Sequence, residues 1–267
     1  MSPVELTVIG SINLDLVATV ERLPRAGETI HAGDLQRIPG GKGANQAVAA
    51  ERLGARVRMV GAVGDDVLAD EAIVTLLESG VEVTLKRVGT TGLALILVDA
   101  GGETQIVVIP GANASVDPVS PGGAVLCQLE VPDHVVIAAA SGAEFFALNA
   151  APARAIDLEP DLLIVNHLEY EIASRGKLVA VTYGAEGAAL YEDGRAIARA
   201  RPPHVNAVDG TAAGDAFAAC LVVSLLEGRA PPEALARSCG AGAIAASRFG
   251  AQSSLPTADE VDAIMAA

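Results

Sequence analysis

Apolar residues along this chain gather into short unbroken runs that punctuate segments of helical period. The runs ELTVIGSIN, RVRMVGAVG, AVLCQLE, EFFALNA, DLLIVNHLE and LVAVTYG show almost no polar alternation, as expected of strands buried on both faces. Between them, GANQAVAAERLGA carries an apolar stripe at helical spacing and stops at Gly54, and DEAIVTLLESG does the same and stops at Gly80. HVVIAAASGA adds a further helical stretch, and residues 211–227, 233–247 and 257–266 read as three closing helices. Strands alternating with helices predict an α/β domain: a doubly wound, mostly parallel sheet sandwiched between helices.

Two stretches depart from that rhythm. Residues 17–40 mix short alternating strands with turn residues, and residues 92–109 form two strands around a Gly-Gly turn, a hairpin signal. Segments at about 17–40 and 90–109 are therefore expected to form a small β appendage over the main sheet, within one domain spanning 1–267. EGAALYEDGRAIAR predicts a second hairpin near the end of the sheet.

Composition narrows the function. With 33 acidic against 18 basic side chains and a net charge of -15, the chain is a poor candidate for nucleic acid or an anionic membrane. The longest apolar run, AFAACLVVSLL, is too short to span a bilayer, and the start of the chain shows no basic-then-apolar leader. Cys127, Cys220 and Cys239 lie in apolar or small-residue settings without metal-ligand spacing, so buried free thiols and a cytoplasmic location are expected.

Polar groups collect where strands end: Asn13, Asp15, Glu130, Asn149, Asn166, Glu169, Thr182 and Gly184. In an open parallel sheet, ligands bind beyond the carboxyl ends of the strands, although each such residue alone also suits a turn or a cap. The stretch DGTAAGDAF places Asp209, Thr211, Ala212, Ala213, Gly214 and Asp215 at the start of an apolar helix. Unpaired N–H groups there suit a phosphate or a developing anion, and a carboxylate beside them suits removal of a hydroxyl proton during phosphoryl transfer. The competing role for Asp215 is a helix cap, which Asp209 already stands ready to fill. In IPGGKGANQA, Gly40, Gly41 and Gly43 allow close approach while Lys42 and Asn45 offer polar groups to a polyol. No strand directly precedes this loop and no Walker A pattern occurs, which excludes a P-loop NTPase.

These motifs, with VGAVGDD, the VVIPGAN hairpin end, QLEVP, NHLE, VTYGAEG and AIAASRFGAQSSLP, make the chain resemble the PfkB (ribokinase-like) carbohydrate kinase family nearly end to end. The resemblance implies ATP-dependent phosphorylation of the primary hydroxyl of a small sugar, D-ribose first, with another sugar or a nucleoside, or sugar binding with weakened turnover, as alternatives. It implies sugar contacts from Asn13, Asp15, Gly41, Lys42, Gly43, Asn45 and Glu130, with Asp215 as the base and Ala212–Asp215 as an anion hole. It further implies that Asn166 and Glu169 organise Mg²⁺ around the ATP phosphates, Glu169 through water, and that Thr182, Gly184, Gly187 and Gly214 border the nucleotide. A monovalent cation, K⁺, would sit by Asp209 and Thr211 with Ala245, Arg248, Gly250 and Ser254. The β appendage would be a lid that also pairs two subunits into a homodimer. Only the residues YEIASRG separate Glu169 from the next strand, leaving no room for the longer helix that relatives carry there.

Overall fold

The computed structural model describes residues 3–101 and 103–266. It begins with β1 (Glu5–Ile9), β2 (Asn13–Thr19), β3 (Leu35–Gly40), α1 (Lys42–Arg52), β4 (Arg56–Val63), α2 (Ala69–Ala72) and α3 (Val74–Glu78). Then come β5 (Glu82–Arg87), β6 (Gly92–Val98), β7 (Thr104–Ile109), β8 (Ala124–Gln128), α4 (Asp133–Gly142), β9 (Phe145–Asn149) and β10 (Leu162–Asn166). The chain closes with β11 (Leu178–Thr182), β12 (Ala188–Glu192), β13 (Arg195–Ala200), α5 (Ala213–Leu226), α6 (Pro231–Ala246) and α7 (Ala258–Ala266).

The expected doubly wound sheet is present: nine strands in the order β13-β12-β11-β10-β9-β8-β1-β4-β5. All neighbours from β11 to β5 run parallel, and the antiparallel pairings are β11 with β12 and β12 with β13. The unbroken apolar runs become its central strands, whose residues are buried on both faces. Helices α1, α5 and α6 pack one face through Val48, Phe217, Leu221 and Ile244. The other face closes over Val125, Leu148, Val165 and Val181 with α4 and the loops after β7 and β9. All three cysteines are buried as free thiols, and burial pushes each above its ordinary value. Among the described residues, no helix is long and apolar enough to cross a membrane.

A second sheet, ordered β3-β2-β6-β7, stands apart from the first. It takes in Asn13–Asp15, earlier than the residue-17 boundary read from the pattern; Gly102 of the Gly-Gly turn lies outside the described residues. Four other expectations need correcting. A strand, β3, does directly precede the loop at Gly41, where none was expected, whereas the run from Glu5 ends as a strand at Gly10 as read, and the chain there leaves the first sheet for the second. The helix expected over 70–80 is interrupted at Ile73 into α2 and α3. The helix expected from residue 211 starts at Ala213, because Ala212 holds a left-handed φ of 59°. Finally, no α-helix lies between β9 and β10, where the alternation predicts one; the helix-free link between β10 and β11 is as the short spacer YEIASRG predicts, and both connections are close to the shortest a parallel crossover allows.

Candidate active site

The two sheets meet over a cavity of about 870 Å³ at the carboxyl ends of β1, β8, β9, β10 and β11. Its roof is the inner face of the second sheet, with Val17, Ile38, Ala94, Ile96, Ile106 and Val108. Its floor is the start of α5.

The first wall forms because two backbones come unusually close. A Cβ on Gly43 would lie 2.6 Å from the carbonyl carbon of Gly10, so the first turn of α1 seats against the end of β1 only with glycine there. Ala44 N–H then donates to Ser11 O at 2.9 Å, and Gly41, with φ at 89°, turns the chain into the helix. This seating brings Lys42 and Asn45 to the cavity beside Asn13 and Asp15 of β2. Glu130 joins them after β8, with its Oε2 accepting from Ser11 Oγ at 2.5 Å and Lys42 N–H at 3.3 Å. Asn113 fixes the neighbouring turn: its Oδ1 accepts from Ile12 N–H at 2.9 Å, and its Nδ2 donates to Asn13 Oδ1 at 2.7 Å.

Asp215 lies in the first turn of α5 and is only 7% exposed. Its carboxylate does not cap its own helix. Oδ2 accepts from Asn45 Nδ2 at 2.9 Å, and Oδ1 accepts from Gln46 Nε2 at 2.8 Å. A Cβ on Gly214 would meet nothing within 4 Å, so the space above the helix start is open to the cavity. Asn45 Oδ1 is buried without a hydrogen-bond partner, an acceptor suited to a ligand hydroxyl.

Asp15, Glu130, Asp215 and Glu169 share this space with the Lys42 ammonium, and their charges are coupled. Burial, then Glu130 and Asp215, push the Asp15 carboxyl up to about 7, against a smaller opposing pull from Lys42. For Lys42, burial works against the charged form, but Asp215, Glu130, Glu169 and Asp15 together hold its ammonium above the ordinary value.

At the other end of the cavity, Asn166 and Glu169 lock each other into one turn. Asn166 Oδ1 accepts from the N–H groups of Leu168 and Glu169, each at 2.9 Å, and Asn166 N–H donates to Glu169 Oε2 at 2.8 Å. Thr182 at the end of β11 also lines the cavity, whereas Gly184 and Gly187 bracket the adjoining turn outside it. Asp209 receives Thr211 N–H at 2.9 Å, Thr211 Oγ1 at 2.6 Å and Gly250 N–H at 2.9 Å. Burial opposes ionisation of Asp209, but these donors outweigh it and hold the carboxyl below its usual range.

Asn13, Asp15, Gly41, Lys42, Asn45, Glu130 and Asp215 therefore line the same cavity as Asn166, Glu169, Thr182, Asp209, Thr211, Ala212, Gly214 and Gly250. Gly43 lies beneath it and Ala213 within α5. Ala245, Arg248 and Ser254 are not among its lining residues. The Arg248 guanidinium pairs with Glu260 at 2.5 Å, Ala245 O accepts from Arg248 N–H at 3.1 Å, and Ser254 Oγ donates to Ala251 O at 2.7 Å. Among the described residues, no group of three or more His, Cys, Asp or Glu is placed to hold a metal ion. The pattern of the sequence did not single out Ser11, Gln46, Asn113 or Gln128. Their one local signal is a polar side chain set inside an apolar run.

Residues 4–159 and 159–258 match the family described as pfkB family carbohydrate kinase. The chain belongs to this family. Ribokinase of Bacillus subtilis (strain 168) is 34% identical over 298 aligned positions, covering 97% of this chain and 99% of that protein. The solved ribokinase of Thermotoga maritima superposes with a TM-score of 0.88 at 31% identity, covering 99% of this chain and all (100%) of the other. The Arabidopsis thaliana ribokinase solved with ribose and ATP gives a TM-score of 0.84 at 27% identity, covering 99% of each chain. As a pfkB-family member the chain is a phosphotransferase acting on a sugar hydroxyl. Its alignment of 298 positions exceeds its own 267 residues, which agrees with the two crossovers that lack helices.

Proposed function

We propose that this chain transfers the γ-phosphoryl group of ATP to the primary hydroxyl of D-ribose, giving ribose 5-phosphate. The observation that carries the reading is Asp215, buried and held by α1, at a helix start that opens onto a cavity with room for a sugar and a nucleotide phosphate together. Asn13, Asp15, Lys42 and Glu130, with the orphaned Asn45 Oδ1, supply the donors and acceptors that a pentose needs on several hydroxyls at once. The remaining lone pairs of Asp215 take the proton from the attacking hydroxyl. The N–H groups at the start of α5, where the space above Gly214 is open, would face the charge on the transferred phosphoryl oxygens.

The residues present fit the cations such a reaction uses. Glu169, held by Asn166, would meet Mg²⁺ through water, and that ion supplies charge neutralisation to the ATP phosphates. Asp209, Thr211 and Gly250, with Ala245, Arg248 and Ser254 nearby, offer hard oxygens to K⁺ behind the helix start. Thr182, Gly184 and Gly187 would border the nucleotide. The second sheet would act as a lid and join two copies into a homodimer, and the buried thiols suit the cytoplasm.

A nucleoside substrate is less well served. The lid residues over the cavity are aliphatic, so they offer no ring for a base to stack upon; the two rings of the lining, Phe217 and Phe249, come from elsewhere. The test is ADP release from MgATP with D-ribose, 2-deoxyribose, fructose and adenosine, each with and without K⁺. Ribose is expected to turn over fastest and with K⁺ stimulation. Asp215→Asn should lower kcat by about 10²–10⁴. Ribose binding without turnover in the wild type would replace the kinase reading by that of a sugar-binding homologue.

A further inference from the structure

Gln46 is the second residue of α1 to touch Asp215, and it is 0% exposed in the middle of an apolar helix face. A buried amide in such a place needs all its partners, and the identity of those partners fixes which way it points. The Ile164 carbonyl can only accept, so Asn149 turns Nδ2 to it at 3.1 Å and presents Oδ1 to Gln46. Gln46 must then offer Nε2, whose two hydrogens go to Asn149 Oδ1 at 2.9 Å and Asp215 Oδ1 at 2.8 Å. Its Oε1 is left for Gln128 Nε2, which donates at 2.6 Å. Gln128 can reach that point because Gly10 has no side chain: a Cβ there would lie 1.9 Å from Gln128 Oε1.

The chain of amides thus starts at a backbone carbonyl of β10, passes through β9 and α1, and ends on one oxygen of Asp215. Asn45 holds the other oxygen from the same helix. Two fixed donors on two oxygens leave the carboxylate one plane and one direction.

We propose that Gln46 is a positioning residue for phosphoryl transfer: anchored by Asn149 and Gln128, its amide sets the plane of the Asp215 carboxylate and so aims the lone pair that takes the hydroxyl proton. The proposal rests on the kinase reading of the site. Asn45, by contrast, lines the cavity itself. Gln46 does not line the cavity, so its effect on the reaction passes through Asp215.

The test is a double-mutant cycle. Gln46→Met keeps the length and removes the donor; it should lower kcat about 10–100-fold while the KM for ribose stays within about threefold. On the Asp215→Asn background the same substitution should change the residual rate by less than about twofold, because the group it positions is gone. An unchanged kcat, or a loss that repeats in full on Asp215→Asn, overturns the proposal in favour of a packing role. If Gln46→Met does not fold, Gln128→Met frees the Gln46 amide from its outer anchor. It should lower kcat by about three- to tenfold at unchanged KM, and no change there overturns the proposal. A crystal structure of the folded variant decides independently of substrate: Asp215 should rotate away from its wild-type plane, and an unmoved carboxylate overturns the proposal. A wild type without turnover on any sugar of the panel instead overturns the kinase reading.

Discussion

The cavity concentrates negative charge, and Asp15 bears the consequence. Its carboxyl titrates near 3.8 in the unfolded chain and at about 7 when folded, chiefly because burial disfavours the anion. Between about pH 4 and 7 the folded protein therefore holds a proton that the unfolded chain has lost. The resulting stability is fully present below the unfolded value and is lost as pH rises through the folded one. Ligand-free protein should melt higher at pH 5 than at pH 8, by roughly 5–10 °C for a contribution of a few kcal/mol. Asp15→Asn, neutral at both values, should remove most of that difference; an equal pH dependence in the variant would place its source elsewhere. Asp15 and Asn13 were legible in the sequence because polar groups after apolar runs stand out as strand-end chemistry, and Asp215 because it opens an apolar helix behind a run of small residues. Gln46 and Gln128 were not: nothing local says whether an amide inside a helix or strand meets solvent, ligand or another amide. Their partners lie 82 and 169 residues away along the chain.

At the scale of elements, periodicity gave types well and junctions poorly. The parallel strands and closing helices announced themselves through runs and stripes. The change of sheet after Gly10 did not, because Ile12 and Leu14 continue the apolar run beyond the strand end. The bare crossovers around β10 leave part of one sheet face without a helix, and aromatic rings occupy the gap. All three tyrosines of the chain gather there: Tyr170 stacks on Tyr191 with centroids 6.5 Å apart, and the Tyr183 and Tyr191 hydroxyls meet at 3.2 Å. His167 stacks on Tyr183 at 6.3 Å, linking the cluster to the Asn166 turn. These rings do the covering that a crossover helix would otherwise do. Tyr191→Ala should cost about 1–3 kcal/mol in urea unfolding, less than a fully buried aromatic because Tyr191 keeps some exposure. A change below about 0.5 kcal/mol would show that the face is stable without the rings.

For the molecule as a whole, the decisive feature is a second sheet that is apolar on both faces. Alternation along β7 puts Thr104, Ile106 and Val108 over the cavity and Gln105, Val107 and Ile109 on the opposite side. On that outer side Leu35, Leu95, Val107 and Ile109 are 61%, 40%, 59% and 39% exposed, while β3 and β7 stand as unpaired edges. A net charge of -15 gives every copy a reason to repel its neighbours, yet apart from Arg37, which pairs with Glu71, these strands carry aliphatic side chains where gatekeeping charges would be expected on a monomer. Pairing two such sheets would cover the patch and an edge together, and it would brace the roof over each cavity. A homodimer of that kind would be a condition of a closed roof as well as a means of burial. Val107→Glu, which points away from the cavity, should convert a dimer to a monomer in sedimentation velocity at micromolar protein. Because the roof loses its brace while Asp215 and its donors stay in place, the KM for ribose should rise several-fold more than kcat falls. A wild type that sediments as a monomer would leave the outer face unpaired in solution and remove this account of the aliphatic edge. A monomeric variant with unchanged kinetics would keep the interface and separate it from closure.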